Sequence, residues 1–442
     1  MISTLSFLSA CTLVLRTVAT PAPFLIELQE RSNLDGILSS IENASDPSRI
    51  GSIISDVVPS PSPTSVEDAV SRLRSAYAAA SPSGVFEAAA VIIDQGLASN
   101  DLASIFNGFN TRSYNNASNV NPRKPRERIF PKKKPVDAPY QQTEATLRRQ
   151  IYIPSTFTYG EKPPVILIPG TGERGGNNFI GNLIPLLQSK PYADLVWINP
   201  INFQLDDVQL NAENVAYAIN YISGISNNRN VSIIGWSQGS ISMQLALKKW
   251  PSTRKIVSDQ IAISADYHGT TVASLLDPIV DALPPSIMQQ AYDSVFIRAL
   301  RSDGGDSAYV PTTTIYSSFD EIVQPQQGVS ASAIINDAHH VGVSNNQVQI
   351  MCPSGSPAGG FYTHESMLTN PLAFALIEDA LTHPGPGTTS RLNLDSVCST
   401  IITRGLTLED FLLTEAAVPF AVYAIIEYFI KVAKGSLVQL SM

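Results

Sequence analysis

Residues 231–242, VSIIGWSQGSIS, join a β-branched run to an apolar stretch through the motif Gly-Trp-Ser-Gln-Gly. Ile233 and Ile234 lie in a run that predicts a short buried strand, and the residues from Ser240 onward have helical spacing. A strand–turn–helix of this kind places the central serine, Ser237, on a sharp turn at the carboxyl end of the strand. The two glycines let strand and helix approach closely, because glycine has no Cβ atom. A chance match to the pattern is the alternative, but the flanking strand and helix favour a nucleophile turn.

Short apolar, β-rich runs recur along the chain from about residue 145, and helical stretches separate most of them. Nearly continuous apolar strands that alternate with helices predict a mainly parallel central sheet covered by helices on both faces. Functional residues are expected just beyond the carboxyl ends of such strands. The predicted strands lie within residues 163–169, 194–200, 230–236, 260–266, 312–318 and 347–352.

The chain before this sheet has a different character. Residues 1–22 contain an apolar run of about signal-peptide length followed by small residues, which predicts a secretory signal peptide. Residues 23–120 predict a helical N-terminal region, and residues 121–144 predict a basic, Pro-rich linker. We expect residues 23 to about 135 to form a propeptide or cap that is detached or mobile. Residues 145–442 are expected to form the catalytic domain.

Charge and composition narrow the class of protein. The 442 residues carry a net charge of −9, 44% are hydrophobic and 15% are charged, which fits a folded globular protein and argues against a nucleic-acid binder. Residues 121–135 are the exception, with seven Lys or Arg and one Glu. In an acidic secreted protein, a flexible connector or a processing site is favoured for this run over a nucleic-acid or anionic-lipid contact.

The chain has three cysteines, Cys11, Cys352 and Cys398. Removal of the signal peptide would remove Cys11 and leave two, which suit one disulfide in an oxidising compartment; two buried free thiols are the alternative. The run that ends at Cys11 also resembles a bacterial lipoprotein cleavage box, which would lipidate that residue. Three glycosylation sequons are compatible with secretion, and they begin at Asn43, Asn116 and Asn230.

A serine hydroxyl becomes a nucleophile when a base takes its proton and a third group orients that base. In one common chain order, the acid and then the histidine follow the serine. Asp320 follows a predicted strand and is the favoured acid, with the adjacent Glu321 as a substitute. His364 lies in a Gly-rich loop that opens onto a helix and is the favoured base. The other histidines are His268 at a strand end, the pair His339 and His340, and His383, which suits a helix end.

Acyl transfer also needs donors for the oxyanion. The backbone N–H of Gln238 is one candidate, and Thr171, in the turn after the strand at 163–169, is the other. A phosphate-binding loop is the rival interpretation of this turn, but it lacks a Gly-Lys-Ser/Thr ending and Glu173 would repel phosphate. The spacing of histidines and carboxylates predicts no metal site, and no cofactor is expected.

Five separated motifs together resemble the Candida antarctica lipase B family of α/β-hydrolases, over roughly residues 145–400. The resemblance implies an α/β-hydrolase fold with Ser237 as nucleophile, Asp320 as acid and His364 as base. It also implies oxyanion donors at Thr171 and Gln238. The motifs are VILIPGTG (165–172), GWSQG (235–239), ADYHGT (265–270), VPTTTIYSSFDEIVQPQ (310–326), and QVQIMC (347–352) with FYTH (361–364).

The same resemblance implies a substrate pocket and a disulfide. Trp236 would line the alcohol side of the pocket, and Cys352 would pair with Cys398. The chain departs from the family prototype in its long N-terminal region and in having cysteines for a single bridge. The remaining pocket residues that the resemblance implies are Asp266 and Gln290 on the acyl side, and Ile322 at the pocket wall.

Residues 407–435 form an apolar stretch about as long as a membrane span. Glu415, Pro419 and Glu427 interrupt it, and a carboxylate is costly in lipid. A mobile apolar helix that flanks the active-site mouth, as the resemblance implies, is favoured over a membrane anchor. Residues 275–290 would form an opposing, lid-like segment.

These observations predict a secreted, extracellular, monomeric carboxylic-ester hydrolase of the lipase type, with an N-terminal helical region added to the α/β-hydrolase fold. Its partner would be an ester or lipid substrate at a lipid–water interface, with no nucleic acid and no stable membrane span. The alternatives are an acyltransferase or polyester hydrolase that uses the same triad, and a non-catalytic α/β-hydrolase relative used for binding.

Overall fold

The computed structural model describes residues 34–44, 46–82, 84–272 and 283–434. The predicted signal peptide with Cys11 lies outside the described residues, as does the first half of the predicted lid-like segment, residues 275–282.

A seven-stranded sheet runs through the described chain in the order β1-β3-β2-β4-β5-β6-β7. Strand β1 pairs antiparallel with β3 at one edge, and all the other neighbours pair in parallel. The strand that precedes Ser237 is β4, near the centre of the sheet. The bounds are β1 Ile151–Tyr152, β2 Pro164–Ile168, β3 Asp194–Ile198, β4 Val231–Trp236, β5 Val257–Ile263, β6 Thr312–Tyr316 and β7 Val343–Gln347.

Side chains of β2 alternate between two apolar cores, as the period of two in a strand requires. Val165 and Leu167 join one core, whereas Ile166 and Ile168 join the other. Helices Val208–Ile225 and Gln238–Lys249 supply buried side chains to the second core, and Leu183–Leu187 and Pro371–Thr382 supply them to the first. The predicted mainly parallel sheet with helices on both faces is therefore confirmed.

One predicted strand is wrong. Residues 347–352 were expected to be extended, but Val348–Met351 is a short helix and the strand lies just before it, at Val343–Gln347. This strand is polar because its asparagines bond to the neighbouring strand: Asn346 Nδ2 donates to the carbonyl of Thr314, and the Thr314 hydroxyl donates to Asn345. An edge strand held by side-chain amides lacks the apolar pattern from which strands are predicted.

Helices make up much of the remaining structure. Residues 34–42 are helical where the described chain begins. The other α-helices are Pro47–Ser55, Val66–Ala80, Val85–Asp94, Leu102–Asn110, Glu144–Arg149, Gly175–Phe179, Leu183–Leu187, Val208–Ile225, Gln238–Lys249, Pro285–Gln289, Val295–Arg301, Val348–Met351, Pro371–Thr382, Leu394–Val397, Leu408–Glu415 and Ala417–Ala433.

The first four of these, from Pro47–Ser55 to Leu102–Asn110, are called the N-terminal helices below, and Ala417–Ala433 is called the C-terminal helix. The two groups share a third apolar core. The Phe106 ring lies 4.9 Å from the rings of both Phe420 and Tyr423. A Cβ atom on Gly51 would lie 2.7 Å from Ile426 Cδ1, so the helices that carry these two residues are in close contact. The N-terminal helices therefore hold one side of the C-terminal helix.

The end of the predicted N-terminal region and the predicted linker are also packed onto the sheet domain. Asn115 is fully buried, and its side chain exchanges hydrogen bonds with the backbone and side chain of Asn177, at 2.8 and 3.2 Å. Ile129 and Tyr140, from the basic Pro-rich stretch, join the core beneath helix Val208–Ile225.

Within the described chain, one helical stretch, Leu408–Ala433, is long and apolar enough to cross a membrane, with a mean hydropathy of 1.6. Within this stretch, 56% of the apolar 18-residue segment is buried inside the fold. A buried core helix meets the same criteria of length and composition.

Cys352 and Cys398 form a disulfide, with Cα atoms 5.8 Å apart. This is the pairing that the family resemblance implies. The bridge joins the segment after β7 to helix Leu394–Val397 and lies beside the chain that leads to His364.

Candidate active site

Ser237 lies between β4 and helix Gln238–Lys249 with φ of 54° and ψ of −129°, a conformation that non-glycine residues rarely adopt. Its backbone N–H donates to the carbonyl of Ile263 on β5, at 3.0 Å. The sheet therefore holds the turn in this strained form, as is common at functional sites.

The glycines of the motif are required by close packing. A Cβ atom on Gly239 would lie 2.5 Å from the carbonyl oxygen of Ile168 and 2.9 Å from that of Pro169. A Cβ atom on Gly235 would lie 2.9 Å from the carbonyl carbon of Gly239. Strand and helix thus meet at a distance that only glycine permits.

Asp320 and His364 form a buried pair. His364 Nδ1 lies 2.8 Å from Asp320 Oδ2, and both side chains are almost completely buried. The other oxygen of Asp320 accepts the backbone N–H groups of Ile322 and Val323, at 3.1 and 2.7 Å. Each oxygen of Asp320 thus accepts a hydrogen bond, and the bond at Oδ2 is made by the tautomer of His364 that carries the proton on Nδ1.

The other ring nitrogen of His364, Nε2, has no hydrogen-bond partner among the described residues. With Nδ1 protonated, Nε2 has a free lone pair, which a general base requires.

The backbone of His364 is fixed from three directions. Its carbonyl accepts from Trp236 Nε1 at 3.1 Å and from the Ser264 hydroxyl at 3.0 Å. Its N–H donates to Glu321 Oε2 at 3.0 Å. The rings of Trp236 and His364 lie 4.8 Å apart. Glu321, the substitute acid considered from the sequence, thus binds the backbone of the histidine, while Asp320 binds its ring.

Two opposing effects act on the pKa of His364. Burial disfavours the imidazolium, but the adjacent Asp320 carboxylate favours it through charge and a hydrogen bond, and Glu365 and Asp266 add to this. The net result is a pKa of His364 above its ordinary value.

The predicted oxyanion donors, Thr171 and Gln238, both lie close to the turn that carries Ser237. Gln238 is the first residue of its helix, so its backbone N–H has no acceptor within the helix. The Thr171 hydroxyl lies 3.0 Å from Gln290 Nε2. Gly170, beside Thr171, packs so closely that a Cβ atom there would lie 2.6 Å from the Trp236 ring. The two loops therefore meet at the nucleophile turn.

A cavity that is partly open to solvent lies beside these groups, and its empty space, counted with the open part, is about 700 Å³. It contains Ser237, His364 and Thr171 together with the predicted pocket residues Trp236, Gln290 and Ile322. Most of its remaining lining is aliphatic and comes from several parts of the chain: Val85, Thr270, Val272, Ile287, Val323, Val418, Ala421 and Ile425.

Asp266, predicted on the acyl side of the pocket, is completely buried and is not among the residues that line the cavity. Neither of its carboxylate oxygens has a hydrogen-bond partner among the described groups. Burial raises the pKa of Asp266 to about 7, against the opposing effect of His364.

Glu365 and Glu415 are two further buried carboxyl groups next to the loop that carries His364. Both side chains are inaccessible, and neither oxygen of Glu415 has a hydrogen-bond partner among the described groups. Burial, together with the charge of Glu365, raises the pKa of Glu415 well above its ordinary value. The sequence offered no signal for this pair, because its members are fifty residues apart.

The remaining histidines have other surroundings. Burial lowers the pKa of His268 to about 4. His339 Nδ1 lies 2.8 Å from the Ala308 carbonyl, and its ring stacks on Tyr309. His383 caps the end of helix Pro371–Thr382 and contacts Asp379, the helix-end position expected from the sequence. None of them lines the cavity.

Asn43, Asn116 and Asn230 are all exposed. Over the ranges that the structure describes, no group of three or more His, Cys, Asp and Glu side chains is placed to hold a metal ion.

Known proteins resemble this chain in both sequence and structure. No protein-family model matches the chain. Lipase B of Pseudozyma antarctica is 36% identical over 216 residues, which is 49% of this chain and 62% of that relative, so the alignment spans less than two thirds of the relative's length. The crystal structure of Aspergillus fumigatus lipase B matches with a TM-score of 0.81 at 46% sequence identity, over 89% of this chain and 96% of that chain. Both the α/β-hydrolase fold and the family predicted from the five motifs are confirmed: the chain belongs to the Candida (Pseudozyma) antarctica lipase B family.

Proposed function

We propose that this protein is a serine carboxylic-ester hydrolase of the lipase type. The observation that carries the proposal is the arrangement around one cavity: Ser237 on a strained turn, and His364 with Nδ1 bound to Asp320 and Nε2 unoccupied. This is the set of groups that nucleophilic acyl transfer requires.

In the proposed first half-reaction, Ser237 Oγ attacks the ester carbonyl carbon while His364 Nε2 accepts the hydroxyl proton. The carbonyl oxygen becomes an oxyanion, which the N–H of Gln238 and the donors of Thr171 stabilise. When the carbonyl re-forms, the bond to the alcohol oxygen breaks and His364 returns the proton to that oxygen. The product alcohol leaves, and the acyl group stays on Ser237.

In the second half-reaction, His364 takes a proton from water, which attacks the acyl-serine. When the carbonyl re-forms, the bond to Ser237 Oγ breaks, His364 returns the proton to that oxygen, and the carboxylic acid is released. At low water content an alcohol takes the place of water, and the same steps give transesterification.

The mainly aliphatic lining of the cavity supports an apolar ester as substrate, because such a surface gains free energy by covering hydrocarbon. We further propose that the protein is secreted and monomeric, with the disulfide and the exposed sequons in agreement with an oxidising compartment. Acyltransfer and polyester hydrolysis would use the same residues and would be recognised by their products. A non-catalytic binding protein would have no need of an oriented His364–Asp320 pair.

The test is hydrolysis of p-nitrophenyl butyrate by the full chain and by two serine variants. Ser237→Ala should lower kcat by at least about 10³-fold without changing the melting temperature. Ser240→Ala is the matched control, since Ser240 is on the same helix and its buried hydroxyl has no partner among the described groups. Equal activity of Ser237→Ala and the wild type would refute the proposed function.

A further inference from the structure

The N-terminal region reaches the cavity that contains the nucleophile. Val85, the first residue of helix Val85–Asp94, lines the same cavity as Ser237 and is only partly buried, as expected for a side chain that faces open space. Sequence patterns gave no sign of this, because the region has no polar motif and lies 150 residues from Ser237.

Helix Val85–Asp94 is firmly held in this position. Its residues 88–93 are completely buried and join the core that contains Phe420 and Ile425 of the C-terminal helix. Ile425 also lines the cavity, so one apolar core supports both helical contributions to the site. Val85 is therefore a fixed element of the lining, because the rest of its helix is packed at its back.

Contacts connect Val85 to the Gln290 side of the cavity. A Cβ atom on the preceding Gly84 would lie 3.7 Å from Val272 Cγ1, so the start of the helix touches Val272. Two residues earlier, Thr270 donates its N–H to the carbonyl of Gln290 at 2.7 Å. Gln290 in turn bonds to Thr171.

Chemistry decides which part of an ester lies along this surface. The leaving alcohol oxygen must lie at His364 Nε2 to receive its proton, and Trp236 packs on that histidine. The acyl chain leaves the carbonyl carbon in the other direction, away from His364. The surface formed by Val85, Val272 and Gln290 is thus available to the acyl chain.

We propose that the N-terminal helical region is a permanent part of the substrate site and that Val85 is a specificity-determining residue for the acyl chain. The inference rests on the proposed ester hydrolase function and goes beyond it, by assigning part of the acyl-binding surface to a region outside the α/β-hydrolase domain. A larger side chain at position 85 shortens the acyl chain that fits, and a smaller one admits longer or branched chains.

The experiment measures kcat/KM for p-nitrophenyl esters from acetate to palmitate with the wild type, Val85→Phe and Val85→Ala. Val85→Phe should lower the ratio of kcat/KM for octanoate to kcat/KM for acetate by about tenfold or more. Val85→Ala, which cannot overpack the site, should move the preference toward longer chains. Val58→Phe is the matched control, because Val58 is in the same region and 72% exposed.

Active-site titration and melting temperatures show whether each variant is folded. An unchanged octanoate-to-acetate ratio in both Val85 variants would overturn the inference, as would an equal loss on all acyl chains. In a second series the acid is acetate and the alcohol varies, and the Val85 substitutions should not change the preference among alcohols. A change in preference confined to this second series would also overturn the inference. Absence of ester hydrolysis by the wild type would instead refute the proposed function, so the two failures are distinguishable.

Discussion

The cavity has two walls that are built in different ways. The catalytic wall consists of the loops that carry Thr171, Ser237, Asp320 and His364 at the ends of the strands, and hydrogen bonds of 2.7–3.1 Å fix it. The helical wall consists of Val85 from the N-terminal helices and of Val418, Ala421 and Ile425 from the C-terminal helix, and apolar packing fixes it. Directional bonds determine where reacting atoms lie, whereas non-directional packing determines which hydrocarbon fits.

This difference leads to a simple expectation. A small change in the catalytic wall should lower the rate for every ester, because the reacting geometry is lost. A change of similar size in the helical wall should alter stability or selectivity while chemistry on short esters continues.

The largest effect is expected for Asp320→Asn. The amide cannot stabilise the imidazolium and favours the wrong His364 tautomer, so kcat should fall by about 10³- to 10⁴-fold. The wild-type rate should rise with pH through the raised pKa of His364, since the neutral ring is the base. In Asp320→Asn this limb should move to lower pH. A pH–rate profile for both proteins checks this, and identical profiles would exclude the proposed role of Asp320.

In the apolar core that supports the helical wall, Phe106→Ala should lower the free energy of unfolding by about 3–5 kcal/mol, because the ring packs against Phe203, Phe420 and Tyr423. Urea unfolding gives this value, and hydrolysis of the acetate ester by the folded variant should be nearly unchanged. Val120→Ala, at a position 89% exposed, is the control. A folded Phe106→Ala variant with a strongly reduced rate on acetate would show that the two walls are not separable.

Gly239→Ala tests the close approach beneath the nucleophile. The added methyl group would lie 2.5 Å from the Ile168 carbonyl, so the turn must shift, and a shift of about 1 Å costs about 10²-fold in rate. Gly108→Ala is the control, because nothing lies within 4 Å of a Cβ atom there. Steady-state kinetics of both variants on acetate and octanoate should show an equal loss for Gly239→Ala and no loss for Gly108→Ala. A loss of activity on octanoate alone would contradict the expectation that a change in the catalytic wall lowers the rate for every ester.

The smallest effect is expected at Glu415. Glu415→Gln keeps the size of the buried side chain, whereas Glu415→Ala leaves a cavity and should be less stable by about 2 kcal/mol. Because the pKa of Glu415 is raised in the folded state, the folded protein retains a proton that the unfolded chain releases. Stability should therefore fall as pH rises above the ordinary carboxyl pKa, by up to about 1.4 kcal/mol per pH unit, and Glu415→Gln should reduce this slope.

Thermal unfolding between pH 4 and 8 provides that comparison. Equal slopes for the wild type and Glu415→Gln would show that Glu415 does not hold the proton.

The sequence predicted the catalytic wall better than the helical wall, for physical reasons. The turn at Ser237, the strand before Asp320 and the loop around His364 each have a local signal, since a strained turn needs glycines and a buried strand needs apolar residues. The roles of these residues remain predictions, but the structure brings their side chains together as expected. Strand β7 was missed because its sequence is polar: backbone pairing and asparagine side chains hold it to β6, and it lacks the apolar pattern from which strands are predicted.

The helical wall depends on contacts between residues that are far apart in the chain. Val85 and Ile425 are separated by 340 residues. The helices that carry them have the ordinary sequence pattern of an amphipathic or apolar helix. Such a pattern shows that a face will be buried but does not identify what covers it. The buried pair of Glu365 and Glu415 is unpredictable for the same reason.

Covalent labelling with a fluorophosphonate measures whether the Ser237 hydroxyl is the activated nucleophile. We expect one adduct per molecule, located at Ser237 by peptide mass spectrometry, formed faster as pH rises through the raised pKa of His364 and strongly slowed in Asp320→Asn. An adduct at another residue, or no adduct with a folded protein, would contradict this expectation.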